Sequence, residues 1–217
     1  MEIFALPERA RVNKVVPKNA FDSYATPKQK KLFSSLIARI TWLYKLSPET
    51  VNLEGRDVKE LQIFKVELKL KDDPQSLLNL IDKSIPYNII FIVEHNEEIF
   101  VSTSAKHLHP LNEDNAVIDW TFKTDWISHS LFKYELPLRK SLDSVYQDFC
   151  IQLAGKPELS RKTLADLVQF KIQTTALERE IERLKTSIKN CKQFNQKVEY
   201  NLLLKEKEEE LKRLITI

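Results

Sequence analysis

The sequence predicts an α+β protein: a mixed or mainly antiparallel sheet with helices, followed by a C-terminal long helix or helical hairpin of coiled-coil type. Three patterns predict it. Apolar residues alternate with period two in several segments between Thr41 and Trp126, whereas they recur every three or four residues through 27–40 and 141–153. After Ala154-Gly155-Lys156-Pro157 no Gly or Pro occurs, and Glu, Lys, Leu and Arg dominate. With 217 residues, 42% apolar and 30% charged, the chain falls in the soluble globular class, long enough for one core plus an appendage.

The elements follow in order. Residues 1–26 hold Pro7 and Pro17 and no sustained period, which predicts an extended basic arm anchored by Val15, Val16 and Phe21. An α+β domain is expected over 27–153. Its first helix, 27–40, opens on Pro27 and carries Leu32, Leu36, Ile37 and Ile40 on one face. A strand, 41–46, stops at Ser47-Pro48; another, 59–71, alternates Phe64, Val66, Leu68 and Leu70 with charged residues. Leu61 and Ile63 fall out of phase with Phe64, which predicts a bulge or a stretch covered on both faces.

A short helix with Leu77, Leu78, Leu80, Ile81 and Ile85 closes at Pro86, and the unbroken run Ile89–Val93 reads as a central strand. Strands at 99–105 and around Ile118, Trp120 and Phe122 precede the helix 141–153. A linker, 154–160, then leads into a helical tail, 161–217.

Glycine gives the firmest exclusion. Gly55 and Gly155 are alone in the chain, so no phosphate-cradling loop and no nucleophile elbow can be built, and no nucleotide cofactor is expected. Cys150 and Cys191 form no CxxC, and four scattered histidines, two of them in Lys106-His107-Leu108-His109-Pro110, read as ordinary surface or turn residues; no metal site is expected from them. No apolar run reaches the ~18 residues that span a bilayer, and the N-terminus lacks the apolar stretch of a signal peptide, so a cytoplasmic protein without a membrane partner is expected.

Charge is unevenly spread. Residues 1–45 carry nine Lys/Arg against three Asp/Glu, 46–150 carry 11 against 18, and 151–217 carry 14 against 10. The basic N-terminal segment offers Arg11, Lys14, Lys18, Lys28, Lys30 and Lys31 for contact with DNA, or for docking on the acidic body.

In the tail, Leu177, Ile181, Leu184 and Ile188 recur at alternating spacings of four and three, and Val198 and Leu202 resume the pattern after Asn195. One helix over 161–214 would be roughly 80 Å long, more than this domain can shelter. The tail is therefore expected either to fold back, turning near Lys189–Asn195, or to pair with a protein partner or a second copy through those six residues. Its expected role is assembly.

One constellation could carry chemistry. Glu67 and Lys69 are two apart on a strand and Asp57 lies ten residues upstream, the D…ExK order of Mg²⁺-dependent nucleases, in which carboxylates hold the ion and lysine steadies the phosphate or the attacking water. Lys65 and Lys71 continue the same alternation, which a solvent-facing strand produces equally well.

The ordered blocks ARVNKVVPKNAF, RITWLYKLSPETVNL, VKELQIFKVELK, LIDKSIPYNIIFIVE and CKQFNQKVEYN resemble a bacterial and archaeal family of domains of unknown function, over nearly the full chain. That resemblance implies a neighbourhood of Swi/Snf-type helicases and DNA methyltransferases in restriction-like or phage-defence islands. It favours an accessory subunit that assembles through the tail and carries over no catalytic residue; the alternatives, read from the residues themselves, are the nuclease using Asp57, Glu67 and Lys69 and DNA contact by the basic arm. Mg²⁺ would be needed only by the nuclease; otherwise no cofactor is expected.

Overall fold

The computed structural model describes residues 3–155 and 163–216. They divide into two compact units after Leu164. In the first, six strands lie side by side in sequence order: β1 (Arg11–Val15), β2 (Ile37–Leu46), β3 (Leu61–Leu68), β4 (Asn88–His95), β5 (Glu98–His109) and β6 (Asn112–Lys123). A two-residue β7 (Ile127–Ser128) also pairs with β5. Every pairing is antiparallel except β3 with β4, which are parallel and joined by the crossover helix α3 (Gln75–Ser84). The sheet is therefore mixed, and the fold α+β.

Helix α1 (Pro27–Leu36) starts at a capping box: Thr26 Oγ1 accepts from the Gln29 N–H at 3.3 Å, and Gln29 Oε1 accepts from the Thr26 N–H at 3.0 Å. It ends four residues earlier than its periodicity predicts. Ile37 and Ile40 are fully buried, but in β2, where they stand opposite Leu68 and Val66. Apolar residues three apart fit either element, and here pairing with β3 prevails. Lys69 marks the change, donating its N–H to Leu36 O at 2.8 Å and its Nζ to Ser34 O at 2.7 Å.

Leu61 to Phe64 are all buried, so the out-of-phase stretch is covered on both faces; the register shift itself lies in β2, between Trp42 and Tyr44. The short α2 (Pro48–Val51) realises the turn signal at Ser47-Pro48. Strand β4, with Ile89 to Val93 buried, is central as its continuous apolar run predicts. On one face of the sheet Phe64, Val66, Leu68, Phe91, Val93 and Phe100 form a core with Phe33 and Leu36 of α1 and Leu77, Leu78, Leu80 and Ile81 of α3. The opposite face takes α4 (Leu142–Ala154). Its Tyr146 hydroxyl donates to Ser104 O at 2.6 Å and lies 3.0 Å from Thr103 Oγ1, which donates to Ile89 O at 2.6 Å.

The two glycines are each forced. Gly155 follows α4 with φ 63°, the left-handed cap position, and a Cβ on Gly55 would stand 2.0 Å from Val58 O. The expected arm is in part a strand: β1 pairs with β2 along the sheet edge, and buried Phe21 stacks on Phe33 at 6.2 Å. Val16 packs against the core as an anchor, but Val15 is 47% exposed.

Helix α3 ends without a glycine. In its place Lys106, from β5, reaches in and donates from Nζ to Asp82 O at 2.6 Å, to Ile85 O at 2.8 Å and to Asp82 Oδ1 at 2.7 Å. Both side chains of this ion pair are 1% exposed. Burial pushes the Asp82 carboxyl up and the Lys106 ammonium down from their usual pKa values, and the attraction between them opposes both shifts.

The second unit is a helical hairpin, α5 (Leu164–Asn190) and α6 (Phe194–Ile215), turning at 191–193 within the predicted interval. Of the predicted linker, Ala154 ends α4 and Gly155 caps it; 156–160 and the first two tail residues, 161–162, lie outside the described residues.

Candidate functional site

The hairpin is built from heptad-spaced residues, and the structure sorts them into two sets. On α5, Leu177 and Ile181 are buried and Leu184 and Ile188 half-buried, the seam the sequence predicts. The partner seam on α6 is a different one. Tyr200, Leu204, Lys207, Leu211 and Leu214, spaced four, three, four and three, are its half-buried residues. Leu177 and Leu214 line the groove between the two helices, and the ion pairs Glu180–Lys207 at 3.6 Å and Lys185–Glu208 at 3.8 Å bridge it. Glu210, 3.1 Å from Lys207 on the same helix, and then Glu180 hold the Lys207 ammonium above its usual range.

This corrects the place of Val198 and Leu202. They were expected in the same seam as Ile188, but three intervening turn residues reset the helical phase. The chain leaves α6 with Val198 43% and Leu202 66% exposed, in line with Phe194, which is 79% exposed. Residues four apart lie on one helical face, so Phe194, Val198 and Leu202 form one apolar stripe pointing away from the half-buried set. On α6 its polar neighbours are Asn195, Lys197, Glu199, Asn201, Lys205 and Glu206. Phe194 is the one residue of this stripe that the heptad reading misses; its spacing of four from Val198 was the available signal.

The metal-nuclease residues are not brought together. Glu67 is near the C-terminal end of β3, opposite Arg39, while Leu61, opposite Leu46, marks the other end. Six residues of extended strand separate these positions by roughly 20 Å. Asp57 lies before Leu61, tied to the start of α4: Asp143 accepts from the N–H groups of Arg56 at 2.7 Å, Asp57 at 2.9 Å and Val58 at 2.9 Å. The exposed Asp57 carboxylate pairs with Arg56 at 3.1 Å. Two carboxylates so placed cannot share one ion. Lys69 caps α1, and Glu67 joins Lys65 at 3.7 Å, which also holds Glu94 at 2.7 Å. Among the described residues no group of three or more His, Cys, Asp or Glu is arranged to hold a metal.

Although burial opposes it, those three N–H donors together hold the Asp143 carboxyl below its ordinary pKa. The carboxylate works as a clamp on a loop.

The basic residues of the N-terminal segment are distributed over three successive elements. Arg11 and Lys14 lie on β1, Lys18 in the following turn of 3-10 helix, and Lys28, Lys30 and Lys31 on α1. Arg11 lies 3.4 Å from Glu8 and Lys30 3.6 Å from Asp22. Among the described residues no helix is long and apolar enough to cross a membrane.

Fold and surface together define an α+β domain bearing a helical hairpin with an uncovered apolar stripe. The chain belongs to a family described as a domain of unknown function (DUF4391), whose model matches residues 4–211. No curated protein and no solved structure matches it.

Proposed function

We propose that the chain is an accessory subunit of a DNA-modification, restriction or phage-defence complex, and that it docks on its partner protein through the outer face of α6. One observation carries the reading: Phe194, Val198 and Leu202 stay 79%, 43% and 66% exposed in line on the face of α6 opposite its half-buried residues Tyr200, Leu204, Leu211 and Leu214. Clustered exposed apolar residues rimmed by polar ones mark interaction surfaces. The rim of Asn195, Lys197, Glu199, Asn201, Lys205 and Glu206 suits a partner groove with a polar border. The resemblance to a family encoded beside Swi/Snf-type helicases and DNA methyltransferases supports the class of partner.

The test is co-purification and titration of the full-length chain with a helicase or methyltransferase encoded beside it. F194D and L202D together are expected to weaken binding about 100-fold, the effect of losing two central anchors, while thermal unfolding of the free chain stays unchanged because both residues are exposed. Binding unaltered by the two substitutions would refute the proposed surface.

A further inference from the structure

A pocket of about 480 Å³ opens in the first unit between the start of α1, one face of α3, the end of β5 and the first half of β6. Small-molecule sites run from about 300 to 1,000 Å³, so its size is that of a ligand site. Its polar side chains are sorted by the partners they already have.

Gln29 Oε1 is taken by Thr26, accepting from the N–H at 3.0 Å and from Oγ1 at 2.9 Å, which leaves Gln29 the Nε2 amine as its remaining polar group. His109 Nδ1 accepts from the Leu111 N–H at 3.2 Å. That bond fixes the tautomer, because a ring nitrogen that accepts carries no hydrogen, and the neutral ring then bears it on Nε2. Asn79 Oδ1 accepts from Gln75 Nε2 at 2.8 Å, which leaves Nδ2. Lys83, exposed in the last turn of α3, can only donate. Ser84 is the exception: its hydroxyl donates to Ile81 O at 2.8 Å, so its oxygen is left to accept. Among the described residues no Asp or Glu lines the pocket.

Donors from α1, α3 and β5 with no carboxylate between them select an anion. A tetrahedral phosphate, with three terminal oxygens, meets donors arriving from several directions, whereas a carboxylate offers two oxygens in one plane. Asn79 and Lys83 are four apart and therefore neighbours on one face of α3, within reach of the same group. Gln29 belongs to the first turn of α1, the positive end of that helix. The end of α3 would oppose an anion, but Lys106 already holds Asp82 O and Ile85 O there. Tyr24, Leu80, Ala116 and Val117 supply an aromatic and apolar part of the lining, which suits an uncharged body.

We infer that this pocket binds an organic phosphate monoester, with Asn79 and Lys83 donating to the phosphate, Gln29 and His109 flanking it, and the organic body against Tyr24 and Leu80. Glycine loops bind phosphate through backbone N–H groups; with two glycines this chain does it through side chains. The pocket belongs to the first unit and the docking stripe to the second, so neither reading depends on the other.

Calorimetric titration of the full chain at low salt tests the assignment. The probes are ribose 5-phosphate, adenosine monophosphate and phenyl phosphate, each beside its phosphate-free counterpart, ribose, adenosine or phenol, and inorganic phosphate alone. At least one monoester is expected to saturate the chain with a dissociation constant below about 1 mM. Its counterpart should bind about tenfold more weakly or worse for want of the charge-assisted hydrogen bonds, and inorganic phosphate should bind more weakly than the best monoester for want of a body. K83E and N79D place a carboxylate where a donor stands and are each expected to weaken binding about tenfold or more, whereas K83R stays within a few-fold of the wild type. Lys83 is exposed and Asn79 half-buried, so the unfolding midpoint of the free chain should hold in all three. F194D/L202D is expected to bind the monoester as the wild type does. The inference is overturned if no monoester saturates by ~10 mM, weaker than any specific site of this size, if a phosphate-free counterpart or inorganic phosphate binds as tightly as the best monoester, or if K83E and N79D bind it normally.

Discussion

Replacing Lys106 by Met is expected to lower the unfolding free energy by about 3–5 kcal/mol, the usual cost of removing one partner from a buried ion pair. The substitution keeps the length of the side chain, so little of the loss comes from packing. It strips Asp82 of its counter-charge in a site 1% exposed, and it also leaves Asp82 O and Ile85 O, near the end of α3, without their donor. The second variant separates the two causes. D82N/K106M removes the uncompensated carboxylate, so part of the stability should return, but the two carbonyl acceptors stay unpaired and recovery should be incomplete. Denaturant unfolding of the four proteins in the cycle measures this, with a coupling energy well above 1 kcal/mol expected for groups in direct contact. A K106M chain that unfolds at the wild-type midpoint would show that the pair is dispensable.

Much of this fold is legible in the sequence because each element carries a period that one burial pattern satisfies. Strand β4 reads as central since five consecutive apolar residues, Ile89 to Val93, have no polar face to offer solvent. The helix α4 and the turn of the hairpin are legible for similar reasons: a 3.6 period in one, a cluster of polar residues breaking a heptad in the other. The misreadings share a cause as well. Ile37 and Ile40 suit a helix as well as a strand, and only their long-range partners on β3 decide between the two. Lys106 was not visible as a core residue because a lysine in a strand signals solvent, and its three acceptors lie 21 to 24 residues away in sequence. The apparent D…ExK order put Asp57 and Glu67 into one motif by spacing alone, whereas an extended β3 drives them to opposite ends of the sheet. At the hairpin, the heptad of α5 was readable, but the phase of α6 depends on how many residues the turn consumes, and that moved Val198 and Leu202 from the seam to the surface.

Asp143→Ala is expected to cost about 1–3 kcal/mol at neutral pH, and the cost should depend on pH in a definite direction. A hydrogen bond to a charged acceptor contributes about 1.5–3 kcal/mol when sheltered, and Asp143 accepts three from consecutive backbone N–H groups, but the loop is part-exposed and water replaces some of what is lost. The substitution would free the segment Gly55–Val58, whose close approach to α4 also requires the missing Cβ of Gly55, 3.1 Å from Leu142 Cβ were one added. The sign follows from the depressed pKa of this carboxyl. In the unfolded chain it titrates near the ordinary value of about 3.9; in the folded chain it titrates below that. Its stabilisation is thus fully present above the unfolded value and fades as pH falls through the folded one. The stability gap between wild type and Asp143→Ala should be constant at neutral pH and narrow as acid is added, because the wild type alone loses the clamp. Asp143→Asn should fall between them. Its amide oxygen can still accept from Asp57 and Val58, but its NH₂ group turns a donor toward the Arg56 N–H, and without a titrating group its advantage over Asp143→Ala should not change with pH. Denaturant midpoints for the three proteins between pH 7 and pH 3 measure all of this, and a wild-type to Asp143→Ala gap that stayed constant or widened in acid would show that the carboxylate does not hold this loop.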